Sequence, residues 1–341
     1  MNSVDVIVPC YRYGRYLEEC VTSVLTQSIK DVRVLIINDA SPDNTAEVAR
    51  KLQTQDRRVS YREHKHNVGH ITTYNEGIDW VTSKYLLLLS ADDYLLPGSL
   101  EAAISLMERN SEVGFTFGNA LEIDEQGGQV LTNCIRCRNS ERVLTGLEFI
   151  SISGSRNIVP TPTALVRAQL QKRVGGYRKE LPHAGDMELW LRLAAHSSVG
   201  FIKPPLAVYR RHSHNMSLSY GGQKLLADLE QRRAALDCFL ESCGNLLKGS
   251  KRLHRTSLRR LSIDALSCAS AAFNRGELSL VQQLAEFARE TSPRSMNSWV
   301  SAKLRLKRRF GLRAWQILRS LSSTGNLPAT LECQMKAPQQ Q

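Results

Sequence analysis

"YLLLLSADDYLLPG" (residues 85–98) runs four consecutive leucines straight into two adjacent aspartates, Asp92 and Asp93. An apolar run without alternation reads as a strand buried on both faces. Such strands belong to sheets covered by helices on both sides, so the neighbouring chain should alternate strand and helix. It does. "VDVIVP" (4–9), "VRVLII" (32–37) and "VSYRE" (59–63) read as strands. Between them the spacing predicts helices over 15–27, with Leu17, Val21, Val24 and Leu25 on one face, over 45–54, and over 71–81. Single helices between strands imply right-handed crossovers and a mostly parallel sheet. In open sheets of that kind, ligands bind beyond the carboxyl ends of the strands. Three polar clusters fall at those ends: 9–13, 38–41 and 90–93.

Past Pro97 the pattern gives a helix to about residue 110 and a strand "VGFTFGNALEID" (113–124). A helix over 145–153 and an extended "VPTPTALVR" (159–167) follow, the prolines of the latter excluding helix. A helix "DMELWLRLAAH" (186–196) and a strand "VGFIKPPLAVYRRH" (199–212) complete this part. Beyond 219 the signal is helical to the end.

Charge changes at the same place. The whole chain of 341 residues carries a formal +12, but residues 1–220 hold 25 Lys and Arg against 24 Asp and Glu, while 221–341 hold 20 against 9. The basic character belongs to the C-terminal third, and it points to an anionic surface met there. No nucleic-acid motif and no stripe of aromatics interleaves those charges, so nucleic acid is not expected as a partner. The eight cysteines are scattered. Cys134 and Cys137 form one CxxC without the second pair that a four-ligand zinc site needs. No apolar run approaches the roughly 20 residues of a membrane span. The strand signal begins by Val4, which leaves no room for a leader, and the expected location is the cytoplasm.

Two like charges at the end of a buried strand need compensation. A hard divalent cation, Mg²⁺ or Mn²⁺, supplies it, usually held by one or two carboxylates plus substrate phosphates; an exposed Asp-Asp turn before Pro97 and Gly98 is the alternative. Asp39 ends the second strand at a comparable position with no evident structural duty, whereas Asp43 suits a turn or helix cap. Tyr11, after the first strand, either stacks on a base or covers the sheet edge.

Four motifs then appear in order: "VDVIVPCYRYGRYLEECVTSVLTQS", "VLIINDASPDNT", "HNVGHITTYNEGI" and "LLLLSADDYLLPGSL". Together they resemble family-two glycosyltransferases, over roughly residues 3–217. The resemblance implies the GT-A fold, a Rossmann-like, mostly parallel central sheet with flanking helices. It also implies a catalytic domain over 1–218 followed by a basic, mainly helical region over 219–341. By the same resemblance Pro9 and Tyr11 pack the nucleotide base and Asp39 hydrogen-bonds it. Asp92 sits near the ribose, and Asp93 holds the metal on the diphosphate. "HAGDMELWLRLAAH" (183–196) resembles the family's acidic motif, which makes Asp186 the general base; as a residue opening a helix it also suits an N-cap. Trp190 reads as packing before sugar stacking. "VYRRHSHNMS" (208–217) resembles a Tyr-Arg-x-His segment, and His212 takes the place of a histidine that reaches metal or diphosphate, a structural histidine being the alternative.

The implied activity is transfer of a sugar, with inversion, from a nucleotide-diphosphate-sugar donor to a hydroxyl of a glycan or lipid-linked acceptor, with Mn²⁺ or Mg²⁺. A catalytically silent relative of the same fold and a nucleotidyltransferase are the rivals, the latter weakened because "PCYRYGRY" is a poor glycine-rich loop. Departures from the family pattern are Asn38 before Asp39, Tyr74 where an arginine is common, and Gly185 where a glutamate is usual. In the tail, "KGSKRLHRTSLRR" (248–260) and "KLRLKRRFGLRAW" (303–315) set basic residues beside Phe310, Leu312 and Trp315. Over 251–315 two readings stand: a helical appendage packed on the first domain, or a peripheral contact with an anionic membrane face.

Overall fold

The computed structural model describes residues 2–213, 215 and 224–315. Strand β1 (Val4–Cys10) pairs in parallel with β2 (Val32–Asn38) on one side and β4 (Tyr85–Leu88) on the other, and β3 (Val59–Glu63) extends the sheet beyond β2. The connecting helices are α1 (Gly14–Leu25), α2 (Thr45–Gln55) and α3 (His70–Trp80). This is the predicted crossover unit, with the carboxyl ends of β1, β2 and β4 on one edge.

Among the described residues the sheet reaches ten strands, with β5 (Tyr94–Leu95), β6 (Val113–Asp124), β7 (Gln129–Leu131), β8 (Glu141–Leu144), β9 (Leu165–Arg167) and β10 (Ser198–Arg211). The path is β3-β2-β1-β4-β9-β6-β10-β5, with β7 on β6 and β8 on β10. β9 runs antiparallel to both β4 and β6, so β6 and its parallel partner β10 point the same way as the first four strands. Their ends therefore reach the same edge as the Asp92–Asp93 pair.

Burial in β1 alternates between two cores, as strand geometry requires. Val4, Val6 and Val8 join Leu17, Val21 and Val24 of α1. Ile7 faces the other side with Ile71, Ile78 and the buried face of α7 (Gly185–Ala194). Helix α4 (Ser99–Arg109) packs on the first core. Helix α5 (Gly146–Ser153) joins the second; its start is fixed by a capping box in which Thr145 and Glu148 satisfy each other's backbone N–H groups.

Two local expectations change. The 159–167 segment is not wholly extended: Thr161–Thr163 forms a 3₁₀ turn, because Pro162 sits in its first turn, where a missing N–H costs nothing. Helix α6 (Ala168–Val174) and β5 carry no clear sequence signal, β5 being two residues long and defined only by pairing with Ala207 and Val208.

The C-terminal region is helical: α8 (Leu225–Cys243), α9 (Ser250–Arg275), α10 (Leu278–Thr291) and α11 (Trp299–Phe310). Its apolar residues, including Leu229, Leu236, Phe239 and Leu261, are continuous with the core under α7. The expected boundary near 218 and the end of the tail, 316–341, lie outside the described residues. One part of the basic surface reads differently in three dimensions. Leu312 and Trp315 pack against the core, and Lys307 is buried, donating to the Ser270 carbonyl and hydroxyl and to Asn274. Phe310 stays exposed, joined by Trp299, 79% exposed, and Leu306. No described helix is long and apolar enough to cross a membrane.

Candidate active site

One cleft of about 1370 Å³ opens at the carboxyl edge of the sheet, and Pro9, Asp92, Asp93 and Asp186 all line it. The backbone at this edge is unusual. Arg12 and Ala40, just past β1 and β2, hold left-handed φ values of 66° and 54°, a conformation that costs a non-glycine residue energy and gathers at functional turns. Tyr11 is partly exposed, with the Arg12 guanidinium 5.3 Å from its ring centre.

Asp39 has the structural duty that the sequence did not reveal. Its Oδ1 accepts from Val68 N–H at 2.8 Å and its Oδ2 from Gly69 N–H at 2.9 Å. The His64 ring Nδ1 lies 2.8 Å from Oδ1, and its Nε2 is 2.7 Å from Glu76. Asp39 thus holds the 64–69 loop against the sheet edge beside Pro9. Asp43 behaves as a turn residue, accepting from Gly14 and Thr45 N–H groups.

Asp92 and Asp93 are both nearly excluded from solvent, at 4% and 2% exposure. Their environments differ. Asp92 Oδ1 accepts from the Ser90 hydroxyl at 2.5 Å, and Oδ2 lies 3.1 Å from His212 Nε2 and 3.3 Å from the Asn215 amide. Asp93 accepts the Arg210 backbone N–H at 3.0 Å. Burial first, and the charge of Asp92 second, push its carboxyl well above the usual carboxylate range. Arg210 donates to the Asp92 carbonyl at 2.7 Å and lies between the rings of Tyr16 and Tyr94. His212 itself is sandwiched by Tyr13, edge-on, and Tyr16, stacked.

Among the described residues no cluster of three His, Cys, Asp or Glu side chains is arranged to enclose a metal. The chemistry of the donors nonetheless fits a hard divalent ion. Two buried carboxylates stand side by side, one of them short of hydrogen-bond donors, and a site of this type takes its remaining ligands from phosphate oxygens and water.

Asp186 faces the same cleft from the first turn of α7. It does not cap that helix: Ala184 is the N-cap residue and makes no side-chain cap. Instead Asp186 Oδ2 accepts from the Thr161 hydroxyl at 2.9 Å, the 3₁₀ turn supplying the donor. Burial raises the Asp186 carboxyl, while the hydroxyls of Thr161 and Tyr177 pull it back part of the way. Tyr177 is positioned by Asn75, whose side chain exchanges two hydrogen bonds with the Tyr177 backbone at 2.7 and 2.9 Å. Gly176 permits that approach, because a Cβ there would stand 2.1 Å from Asn75 Oδ1.

Below the site, α7 is fixed by a buried ion pair. Glu188, fully buried, meets Arg192 at 2.7 Å and Arg178 at 2.9 Å, and Arg192 also donates to the carbonyls of Val174, Gly175 and Gly176. Trp190 packs as expected, stacked on Phe115 at 5.5 Å in the core. The partners missed in the sequence are Thr161, Tyr177 and Asn215. Asn215 alone had a local signal, three residues after His212 in the closing motif.

Comparison with known proteins agrees with this geometry. Residues 5–169 match the family described as glycosyl transferase family 2. An uncharacterized glycosyltransferase of Haemophilus influenzae is 24% identical over 71% of this chain and 75% of its own length. Among solved structures, residues 1–349 of S. aureus TarS with UDP-GlcNAc superpose with a TM-score of 0.59 at 14% identity, covering 85% of this chain and 92% of that one. The mannosyltransferase PcManGT of Pyrobaculum calidifontis, with GDP-Man and Mn²⁺, gives 0.51 at 16% identity over 93% and 84%. The mostly parallel sheet with its flanking helices is that of the GT-A fold, and over residues 5–169 the chain is similar to glycosyltransferases of family 2.

Proposed function

We propose that this protein transfers a sugar from a nucleotide-diphosphate-sugar donor to a hydroxyl acceptor with inversion at the anomeric carbon. The observation that carries this is the presence of the Asp92–Asp93 edge and Asp186 in the lining of one cleft. The base lies at the β1–β2 end, between Pro9, Tyr11 and the loop that Asp39 holds. Asp92 faces the ribose side, and Asp93, with His212 through Asp92, would hold Mn²⁺ or Mg²⁺. A bound divalent ion supplies charge neutralisation on the departing diphosphate.

Asp186 takes the proton of the acceptor hydroxyl as its oxygen bonds to the anomeric carbon. The bond from that carbon to the diphosphate oxygen breaks in the same displacement, and its electron pair leaves with the nucleoside diphosphate. Attack from the face opposite the leaving group inverts the centre. Burial suits Asp186 to this role, since a carboxylate raised toward neutral pH is a stronger base.

The solved structures of TarS with UDP-GlcNAc and of PcManGT with GDP-Man and Mn²⁺ support a nucleotide-sugar donor and a divalent metal. The test is thermal unfolding of the full chain with UDP-, GDP- and dTDP-sugars plus Mn²⁺. One donor should raise the midpoint, because a ligand that binds only the folded state stabilises it. No shift with any of them would remove the donor assignment.

The acceptor is proposed to be a lipid-linked or polysaccharide precursor met at the cytoplasmic membrane face. Support comes from α11, where Trp299, Leu306 and Phe310 are exposed beside Lys303, Arg308 and Arg309. A basic, aromatic face of this kind suits an anionic leaflet. Co-sedimentation with anionic but not neutral vesicles is the expected result; equal recovery with both would dismiss the contact.

A further inference from the structure

The cleft is larger than one substrate requires. It measures about 1370 Å³, whereas pockets for a single small ligand run to about 300–1,000 Å³. Part of its wall comes from outside the sheet. Thr256, Arg259, Arg260, Ile263 and Asp264 of α9 all line it. Their spacing of three, four, seven and eight residues sets them on one stripe of the helix. A different stripe, Ser257, Leu261, Ala265 and Leu266, is buried in the core. One face of α9 therefore holds the helix in place, and another is offered to the cleft.

The charges on that wall do not cancel. Asp264 accepts from Arg156 at 3.0 Å, Arg232 at 2.9 Å and Ser155 at 3.1 Å, so two arginines already share its charge. Asp228, also at the cleft, pairs with Arg232. Arg260 donates to the Ser151 carbonyl at 2.6 Å, a contact that leaves its positive charge uncompensated. Arg259 is exposed and makes no hydrogen bond or ion pair among the described residues. Arg259 and Arg260 thus both line the cleft, and neither forms an ion pair among the described residues.

We propose that this wall is the acceptor end of the cleft, and that Arg259, with Arg260 beside it, binds a phosphate group carried by the acceptor. The proposal rests on the transferase reading above and adds to it a substrate class, a phosphate-bearing alcohol. A planar guanidinium fork matches a phosphate in two parallel hydrogen bonds, which an isolated neutral hydroxyl cannot repay. The α9 wall and Asp186 share the cleft, so one acceptor can present phosphate to the first and hydroxyl to the second.

The experiment uses the full chain in metal-free buffer and follows the ³¹P line width of glycerol 3-phosphate as protein is added. Arg259→Glu is compared with Arg255→Glu, an equal charge change on the same helix at a residue that does not line the cleft. Wild type and R255E should bind the probe, and R259E should lose at least about tenfold in affinity. Equal losses in both variants would reduce the effect to bulk charge and overturn the proposal. Stabilisation by the nucleotide-sugar with Mn²⁺ should persist in R259E. Its disappearance would assign the arginine to the donor diphosphate and overturn the proposal as well. If wild type binds glycerol 3-phosphate through Arg259 yet no nucleotide-sugar stabilises it, the donor reading fails and the anion site stands. Sedimentation with phosphatidylglycerol and phosphatidylcholine vesicles separates the sources of phosphate. A loss of phosphatidylglycerol binding in R259E assigns it to a lipid headgroup, and unchanged sedimentation assigns it to a soluble or polymer-borne phosphate.

Discussion

Asp93 and Asp186 are carboxylates in one cleft, and both are raised above the ordinary range, yet they are raised by different means. Asp93 is pushed up by burial and then by its neighbour Asp92, with the backbone N–H and the charge of Arg210 offsetting them only in part. Asp186 is pushed up by burial alone, and two hydroxyls, from Thr161 and Tyr177, partly restore it. A like-charge pair inside a protein is a standing demand for a cation. A single carboxylate steadied by neutral donors can lose and take a proton without one. The two carboxylates thus stand in different electrostatic settings, as the proposed metal and base roles require.

Four measurements bear on that contrast. The largest expected effect is on turnover: Asp186→Asn should lower kcat by about 10²–10⁴-fold, the usual contribution of a general base, with the thermal midpoint held near that of wild type. Retained transfer would break the comparison at its acceptor end. Next, Glu188→Gln leaves Arg192 and Arg178 without their buried partner, and should cost about 3–5 kcal/mol in urea unfolding. A cost well below that would show that α7 is positioned by its apolar face and not by the ion pair.

The third concerns the pair. Asp93 has a folded-state pKa above its unfolded value, so the folded state holds its proton more tightly. The metal-free protein therefore loses stability as pH rises from the ordinary carboxylate range through the raised pKa. In EDTA near pH 7, Asp93→Asn should melt higher than wild type by roughly 2–4 °C for each kcal/mol relieved. Mn²⁺ should raise the midpoint of wild type but not of the variant; a metal response unchanged in D93N would move the metal away from Asp93. The smallest effect is a shift in pH. As the proposed base Asp186 must be ionised, so kcat should fall as pH drops through its raised pKa. Thr161→Val removes a bond that favours the ionised form, worth about 1 kcal/mol or less than about one pH unit. The acid limb should then move to higher pH, and a shift to lower pH would contradict the assignment of Thr161.

Much of this was legible in the residues. The unbroken leucines of 86–89, the alternation before them and the polar clusters at 9–13, 38–41 and 90–93 point to the sheet and to the edge that bears the cleft, because strand periodicity and helix amphipathicity are local properties. Asp186 stands out in the sequence through its motif, and only the structure shows that Ala184, not Asp186, holds the cap position of that helix. The duty of Asp39 toward Val68 and Gly69 was not legible, since nothing in "VLIINDASPDNT" says which loop will return to it. In the sequence the basic tail reads either as a packed helical appendage or as an anionic membrane contact. Folding turned Lys307, Leu312 and Trp315 inward and left Trp299 and Phe310 outside, a division that depends on where α9 and α10 lie.

The sequence by itself determined the alternation of strands and helices through the first four strands, the edge at which polar residues gather, and the basic character of the last third. Only the tertiary structure decided what each of those charges meets. Asp92 meets His212 across 120 residues, Asn75 positions Tyr177 across 102, and Thr161 reaches Asp186 across 25. Propensity and periodicity act over a few residues, whereas the free energy of a buried charge is set by whatever the fold brings within about 3 Å of it, and that is fixed only when the whole sheet and the helices around it have closed.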